Sequence, residues 1–301
     1  VPIAPLPTRD GETFPRERCT QCGCEWLCPP PSRERLAQAY AADYYGEGAS
    51  KFPGPVERVI QWFRDDRARA AARLIGKTGA VLDIGCGNGG FLRSLSKLGS
   101  YKLNGIELPG PAADRASTVP GIRLIRRPLQ PDDFQEGSLD LVTLFHVIEH
   151  LDAPDSVLYS VSRILKPGGK LVVSLPNCDS LQARLCDRHW LHWDPPRHLW
   201  LAPPSAVVQA AARHGFKVVS CSHLSLEQNP FGLLQGLLNH WFPRDRLYDW
   251  LKNSKPGARG SIPWPELLIS FLILGIPCVL FSLFETVIRR GGTFELVFER
   301  A

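Results

Sequence analysis

The stretch Val81-Leu82-Asp83-Ile84-Gly85-Cys86-Gly87-Asn88-Gly89-Gly90 decides the architecture of this chain. Apolar residues run into an acid and then into a glycine-rich turn, and a helix-like run, Phe91 to Leu98, stands behind it. Glycines at such a turn let the backbone double back and approach a ligand with no Cβ in the way. A helix opening toward that ligand presents unpaired N–H donors to it. The stretch reads as strand, turn and helix around a nucleotide-like cofactor, with an unliganded Gly-rich turn as the alternative.

Two cofactors fit the letters. Gly85-x-Gly87-x-x-Gly90 spells a dinucleotide fingerprint, with Glu107 near the distance at which an acid meets a ribose hydroxyl. Asp83-x-Gly85-x-Gly87-x-Gly89 resembles motif I of the class I S-adenosylmethionine (SAM) methyltransferases. Both readings place an acid at the end of the second strand, Lys102-Leu103-Asn104-Gly105-Ile106-Glu107, so Glu107 does not separate them.

The following hundred residues separate them. Ser138-Leu139-Asp140-Leu141-Val142-Thr143-Leu144-Phe145-His146-Val147-Ile148-Glu149-His150-Leu151 resembles the fourth strand of that methyltransferase family and its trailing "EHL". Val161-Ser162-Arg163-Ile164-Leu165-Lys166-Pro167-Gly168-Gly169-Lys170-Leu171-Val172-Val173-Ser174 resembles its "RxLKPGG" entry into the fifth strand. Lys-Pro-Gly-Gly makes physical sense there, because proline blocks continuation of a helix and the glycines permit the turn into a strand. The resemblance spans roughly Ala80 to Asn177 and favours SAM over a nicotinamide dinucleotide.

It implies an α/β, Rossmann-like seven-stranded sheet of order 3-2-1-4-5-7-6. The pattern itself places strands near 80–85, 102–107, 122–126, 139–145, 169–175 and 216–221, with Thr293 to Glu299 last. By resemblance, Asp83, Gly85, Cys86, Gly87, Asn88 and Gly89 shape the methionine and ribose site, and Glu107 binds the ribose hydroxyls beside Leu108. Leu129, in the loop Pro128-Leu129-Gln130, and Phe145 complete the cofactor set. An acidic adenine partner is not obvious in that loop, although Asp132 and Asp133 are near.

Histidines mark the acceptor side. His146 falls at the end of the fourth strand, where this fold opens toward cofactor and acceptor, and its pKa range suits proton transfer. His146-Val147-Ile148-Glu149-His150 also spells the H-x-x-E-H of inverted zinc peptidases. That chemistry needs both histidines on one helix face, which a strand end does not give. A divalent metal at Glu149 and His150, as in some quinone O-methyltransferases, is a further reading. His189-Trp190-Leu191-His192-Trp193-Asp194-Pro195-Pro196-Arg197-His198-Leu199 resembles a loop of bacterial methyltransferases that serve polysaccharide and lipid pathways. Read as an amphipathic wall over the site, it offers Arg197 to fork a phosphate or carboxylate and His198 as a base. Arg197 pairing with Asp194 to stiffen a Pro-rich lid is the plainer alternative.

The flanks differ in character. Residues 1–50 contain Cys19, Cys22, Cys24 and Cys28, followed by a helical run with Leu36, Tyr40, Tyr44 and Tyr45. Cys-x-x-Cys with a following glycine is the knuckle tetrahedral zinc favours, but no Cys or His precedes Cys19. A helix is expected from Pro55 to Ile75, apolar at Val56, Val59, Ile60, Phe63, Ala70 and Leu74. The core is expected over 51–223 plus 289–301, interrupted by a hydrophobic insertion at 224–288.

Within the insertion, Leu267 to Ile288 is long enough to span a bilayer. Strands on either side of it belong to one sheet, so both ends must lie on one side of any membrane. Pro277 reads as dividing the stretch into a shallow hairpin or in-plane element. Arg244, Arg246, Lys252, Lys255 and Arg259 precede it and Arg289 and Arg290 follow, as suits an anionic membrane surface. Pro230 to Phe242 reads as a second apolar platform carrying Trp241.

Composition bounds the rest. The chain has 301 residues, 44% of them hydrophobic, enough for one large core. Net charge is +5 without a basic stripe carrying interleaved aromatics, so no nucleic-acid partner is expected. Val1 to Arg18 is Pro-rich and charged rather than signal-like, and nine cysteines suit a reducing compartment. The expectation is a cytoplasmic enzyme, peripheral at the inner face of the plasma membrane, methylating an oxygen of an amphiphilic small or lipid-linked acceptor. Its rivals are a nicotinamide-dependent oxidoreductase and an inactive interaction protein of the same fold.

Overall fold

A computed structural model of the chain describes residues 1–8, 10–40, 54–252 and 269–301. Tyr44, Tyr45, Lys255, Arg259 and Leu267, all named above, lie outside the described residues. Seven strands make the central sheet: β4 (Thr78–Ile84), β5 (Ser100–Ile106), β6 (Ile122–Ile125), β7 (Leu139–Phe145), β8 (Leu165–Pro176), β10 (Phe216–Ser222) and β11 (Thr293–Arg300). Their order is β10-β11-β8-β7-β4-β5-β6, the expected 3-2-1-4-5-7-6 read from the far edge. β11 runs antiparallel between β8 and β10, while β7, β4, β5 and β6 are parallel to one another and to β8.

Burial on both faces explains the apolar runs that marked these strands. Val81 and Leu82 of β4 point to opposite faces and both are buried. On one face, α5 (Pro154–Ile164) and α7 (Pro204–Ala212) supply Leu158, Val161, Ile164, Val207 and Ala211 to Leu82, Val142, Leu144, Val173, Phe294 and Phe298. On the other, α2 (Gly54–Ile75), α3 (Gly90–Leu95) and α4 (Pro111–Ser117) bring Ala68, Ala71, Phe91, Leu92, Leu95 and Ala116 onto Val81, Leu141, Val172 and Val297. β8 starts at Leu165, ahead of the expected 169. Leu139 pairs with Leu165 and Leu141 with Lys170, so Lys166 to Gly169 bulge out of the ladder.

Residues 1–40 contain more strand than the sequence signals. β1 (Pro2–Pro7), β2 (Thr13–Arg18) and β3 (Glu25–Leu27) form an antiparallel sheet closed by β9 (Trp200–Leu201), and α1 (Arg33–Ala39) follows. Pro2, Pro5 and Pro7 hide β1 from a propensity reading, and they are tolerated because β1 is the edge strand.

This small sheet shares a second core with the insertion. Leu6, Phe14 and Leu27 meet α6 (Leu181–Cys186), α8 (Asn229–Leu238), α9 (Arg246–Lys252) and α10 (Gly275–Val287) around Trp190 and Trp193. Leu233, Leu234 and Leu238 of α8 are buried there, so it is a core helix and not a surface platform, with His240 and Trp241 beyond its end turned outward. Pro277 does not divide the apolar stretch. It stands in the first turn of α10, where a missing N–H costs nothing, and the break falls at Leu274, after a π-turn over Ile269–Ile273.

α10 is amphipathic in the inverse sense. Its polar Ser282 and Glu285 are buried, with Gln182 donating to Glu285 through both backbone N–H (2.8 Å) and side-chain amide (2.7 Å). Its outward row is apolar: Ile276, Leu280, Phe284 and Val287 are all exposed. No helix among the described residues is long and apolar enough to cross a membrane.

Candidate active site

The site lies at the C-terminal ends of β4, β5 and β7. Gly85 has φ +71, and a Cβ built on it would stand 2.4 Å from Val147 Cγ2, so only glycine fits that turn. Glu107 is nearly buried, and both its oxygens are engaged: Gly87 N–H donates at 2.7 Å and Leu108 N–H at 3.0 Å. Those bonds fix the carboxylate across the mouth of the glycine turn. Further lone pairs on the same oxygens are left for a ligand's hydroxyls.

Asp83 ends β4 deep in the sheet, 3% exposed. Thr143 donates to its Oδ1 at 2.7 Å from the neighbouring β7. Burial, with the Glu107 charge adding, pushes the Asp83 carboxyl up to about 7 against the pull of Thr143 and Arg67. Two acids with no cation in contact make this end of the sheet a receptor for positive charge.

Other members of the predicted cofactor set divide. Asn88 Oδ1 accepts from Gly90 N–H at 3.2 Å and so sets the entry to α3. Leu108 is exposed beside Glu107, an apolar surface on which a flat ring can lie. Leu129 packs on the sheet core, and the Phe145 ring stands edge-on to Phe91. Cys86 does not reach the ligand side: its thiol fills the space above Gly105, where a Cβ would come within 2.7 Å of the sulfur. Asp133 is turned to Arg127, which holds it from 2.8 Å, and so offers nothing to an adenine.

His146 begins the loop after β7 with φ +55, a left-handed conformation uncommon outside glycine. Its backbone N–H is tied to Ser174 O at 2.9 Å, and its ring lines a cavity of about 390 Å³ between α2 and the edge of β7, β8 and β11. Sequence reasoning missed the cavity's other charged residues: Asp66 and Arg67 on α2, Glu227 ahead of α8, and Glu295 on β11. Arg67 pairs with Glu227 and stacks over Phe145 at 5.4 Å, closing one side of the cavity. A signal was there to read. Phe63, Arg67, Ala70, Ala71 and Leu74 stand at 0, 4, 7, 8 and 11 on one helix stripe, a lone cation among apolar residues.

Behind His146 lies Glu149, fully buried, with neither carboxylate oxygen hydrogen-bonded. His146 Nδ1 is 3.5 Å from it, too long for a good bond. Burial alone would raise this carboxyl, but the imidazoles of His146, His150 and His198 around it outweigh that and hold it at about 2. Ligand atoms of Glu149, His150 and His198 lie within 4.8 Å of one another, the one such group of three among the described residues. His150 Nδ1 lies 2.9 Å from the Tyr40 hydroxyl and 3.0 Å from Arg197 O, and His198 Nδ1 donates to His192 O at 2.6 Å. The His198 ring, held through Nδ1 by a backbone carbonyl, leaves Nε2 for a ligand, the arrangement metal-bound histidines adopt.

The 189–199 loop is corrected by its packing. Trp190 and Trp193 are 0% and 1% exposed, so they are core residues and not an adaptable wall. Arg197 is spent on Asp194, at 2.7 Å through Nε and again through Nη2, and on Ala39 O at 3.1 Å. It is not free to fork a phosphate. Burial drives the His198 imidazole down to about 4, which makes it a poor base at neutral pH and leaves its lone pair for a ligand.

The cysteines stand apart from this site. Cys19, Cys22 and Cys24 interact through their thiols, whereas Cys28 faces Glu17. The four do not gather into one ligand set.

With the geometry in hand, comparison with known proteins is direct. A family model described as "Methyltransferase domain" matches residues 56–221, more than half of the chain. The ubiquinone biosynthesis O-methyltransferase of Nitrosococcus oceani is 34% identical over 124 residues, 39% of this chain and 51% of that protein. That of Xanthomonas axonopodis is 34% identical over 113 residues, 36% and 47% respectively. The chain thus spans about half the length of these curated relatives. Among solved structures, a SAM-dependent methyltransferase from Archaeoglobus fulgidus aligns with TM-score 0.51 at 16% identity, covering 80% of this chain and 94% of that one. A putative sarcosine dimethylglycine methyltransferase from Galdieria sulphuraria aligns with TM-score 0.53 at 15% identity, covering 89% and 98%.

Proposed function

The chain belongs to the methyltransferase-domain family of SAM-dependent enzymes, and from that premise we propose that it methylates an oxygen of an amphiphilic small molecule bound beside His146. The observation that carries this reading is the juncture of two spaces. In this reading the Asp83–Glu107 turn takes the cofactor, and β7 links it to the α2 cavity: its Thr143 bonds Asp83, and its last residue, Phe145, lines the cavity with His146.

Bound SAM supplies a methyl group on a positively charged sulfur, which leaves without assistance. The protein's part is alignment and proton removal. Asp83 and Glu107 hold the cationic end and the ribose. His146, fixed by Ser174 O and facing the cavity, takes the acceptor's proton. Glu149, His150 and His198 fit a divalent cation, because a buried carboxylate that makes no hydrogen bond has ligand atoms of two imidazoles within 4.8 Å. A cation there would lower the pKa of an acceptor hydroxyl.

The relatives named for ubiquinone biosynthesis support a quinone-like acceptor, and the apolar half of the cavity, with Phe63, Ala70 and Leu74, suits one. The exposed apolar row on α10 suits delivery from a membrane surface to which the protein attaches peripherally. The deciding experiment is calorimetry with SAM, its demethylated product and NAD, followed by radiolabelled methyl transfer to a membrane lipid extract. SAM and its product are expected to bind and NAD not, with Asp83→Ala losing at least about 10-fold in affinity. Equal binding of SAM to Asp83→Ala overturns the site.

A further inference from the structure

Glu295 occupies a position where the fold asks for an apolar side chain. On β11, Phe294, Leu296 and Phe298 fill one face of the sheet, and Val297 packs on the other under α2. Glu295 shares that second face with Val297. It is half-buried, and among the described residues its carboxylate makes no hydrogen bond and no ion pair. A half-buried carboxylate that lines a cavity and makes no hydrogen bond keeps its lone pairs open to a ligand's donor group.

The register shows where it points. Glu295 is paired with Ser174, and Ser174 with Phe145, so the three stand in one row across β11, β8 and β7. With strands about 4.8 Å apart, Glu295 lies roughly 10 Å from Phe145, on the same face. All three line the α2 cavity, and His146 follows Phe145 at its rim. Burial raises the Glu295 carboxyl, and the nearby Arg67 and His146 offset part of that.

Charge around the cavity is unbalanced. Asp66, Glu227 and Glu295 stand against one guanidinium, Arg67, which Glu227 already holds. The space is therefore acidic at its far end and apolar along its α2 wall.

Resting on the methyltransferase reading, we propose that Glu295 is the specificity-determining residue of the acceptor pocket: it accepts a hydrogen bond from a second donor group of the acceptor, a hydroxyl or an amine, while the atom to be methylated lies at His146. The pocket then takes donor-bearing neutral or cationic acceptors and rejects those with a carboxylate or phosphate at that end. The spacing of the row sets the second donor several ångström from the methylated atom.

The test uses the full chain saturated with the demethylated cofactor product. Binding of 4-pentylphenol, the isomeric pentylbenzenediols, 4-pentylbenzylamine and 4-pentylbenzoate is measured by calorimetry. A hydrogen bond to a charged acceptor is worth about 10-fold or more in affinity. At least one diol isomer or the benzylamine is expected to bind the wild type 10-fold or more tighter than the phenol, with the benzoate weakest. The two donor arms separate a hydroxyl from an ammonium partner. Glu295→Gln is expected to shrink those preferences to within about 3-fold while affinity for SAM stays within 2-fold. The proposal is overturned if phenol and donor-bearing probes bind the wild type alike. It is equally overturned if Glu295→Gln keeps the preference, or if that variant loses SAM instead. Failure of the wild type to bind SAM at all would count against the methyltransferase site, a separate result.

Discussion

Thr143 donates its hydroxyl to Asp83 at 2.7 Å across adjacent strands, and this bond is the main restraint on an acid that burial has pushed up to about 7. A cation arriving at Asp83 must find it ionised. Affinity for SAM is therefore expected to rise as pH increases from 6 to 8 and then to level off, with proton release on binding at the lower end. Calorimetry in buffers of different ionisation enthalpy reads that proton. Thr143→Val should move the midpoint upward, and Asp83→Asn should flatten the curve at lower affinity. Stability of the unliganded protein runs the other way. A carboxyl whose folded pKa is raised contributes stability below the ordinary carboxylate range, and that contribution is lost as pH climbs through about 7. An affinity independent of pH over this window would remove Asp83 from the binding role.

Gly85→Ala tests the turn. The new Cβ meets Val147 Cγ2 at 2.4 Å, and an L-residue at φ +71 is strained in any case. The combined cost is expected at about 2–4 kcal/mol, read as a fall in thermal midpoint, with SAM binding lost. Val147→Ala added to Gly85→Ala should restore part of the stability, because it removes the clash and leaves the backbone strain. No recovery in the double variant would show that the contact with Val147 is not what reserves the position for glycine.

The sheet was legible because both its faces are buried. Val81, Leu82, Val142, Leu144, Val172 and Val173 announce strands by composition alone, and the turn glycines announce where they end. The acids proposed for the cofactor were legible in the same stretches, since Asp83 and Glu107 sit at strand ends by register. What stayed hidden depends on contacts between distant segments. Arg197 was divided between a ligand and Asp194, and only Ala39 O with the packing of the loop decides for the structural pairing. Trp190 and Trp193 read as an exposed wall because nothing local says that β1, β2 and α8 close over them. Glu295 was invisible for a similar reason. An alternating strand accepts a glutamate on a solvent face, and only the packing of α2 over that face turns it into a cavity wall.

Metal binding at Glu149, His150 and His198 can be separated from any metal at the cysteines by the choice of ion. Mn²⁺ favours carboxylate and imidazole over thiolate, whereas Zn²⁺ takes both. Titration of the chelator-treated chain with Mn²⁺ is expected to show one equivalent bound. Glu149→Gln and His198→Ala should each weaken it at least about 10-fold, and Cys22→Ser should leave it unchanged. Methyl transfer is expected to fall on chelation and to return with Mn²⁺. Mn²⁺ binding as weak in the wild type as in the Glu149→Gln variant would leave the orphaned carboxylate without this explanation.

The outward row of α10 yields the last prediction. Ile276, Leu280, Phe284 and Val287 recur at one face of the helix, and Val287 is 81% exposed. Their opposite side is pinned: Glu285 is fully buried and accepts twice from Gln182, so the helix cannot roll its apolar face inward without breaking both bonds. Thr286 Oγ1 donates to His223 O at 3.2 Å, which sets the end of the row near Leu224 and Leu226, which line the α2 cavity proposed for the acceptor. A lipid surface met by this row would therefore lie next to the cavity's mouth. Vesicles of zwitterionic lipid with a third of anionic lipid should carry the protein upward on flotation. Leu280→Glu with Phe284→Glu replaces two exposed side chains, so the fold should hold, with an unchanged thermal midpoint. Each apolar group withdrawn from water contributes about 1.5–3 kcal/mol, and a charge in its place opposes insertion. The double variant should float at least about 10-fold less. Soluble acceptors should be methylated as before and acceptors embedded in vesicles more slowly. Undiminished flotation of a folded double variant would show that the row faces something other than lipid.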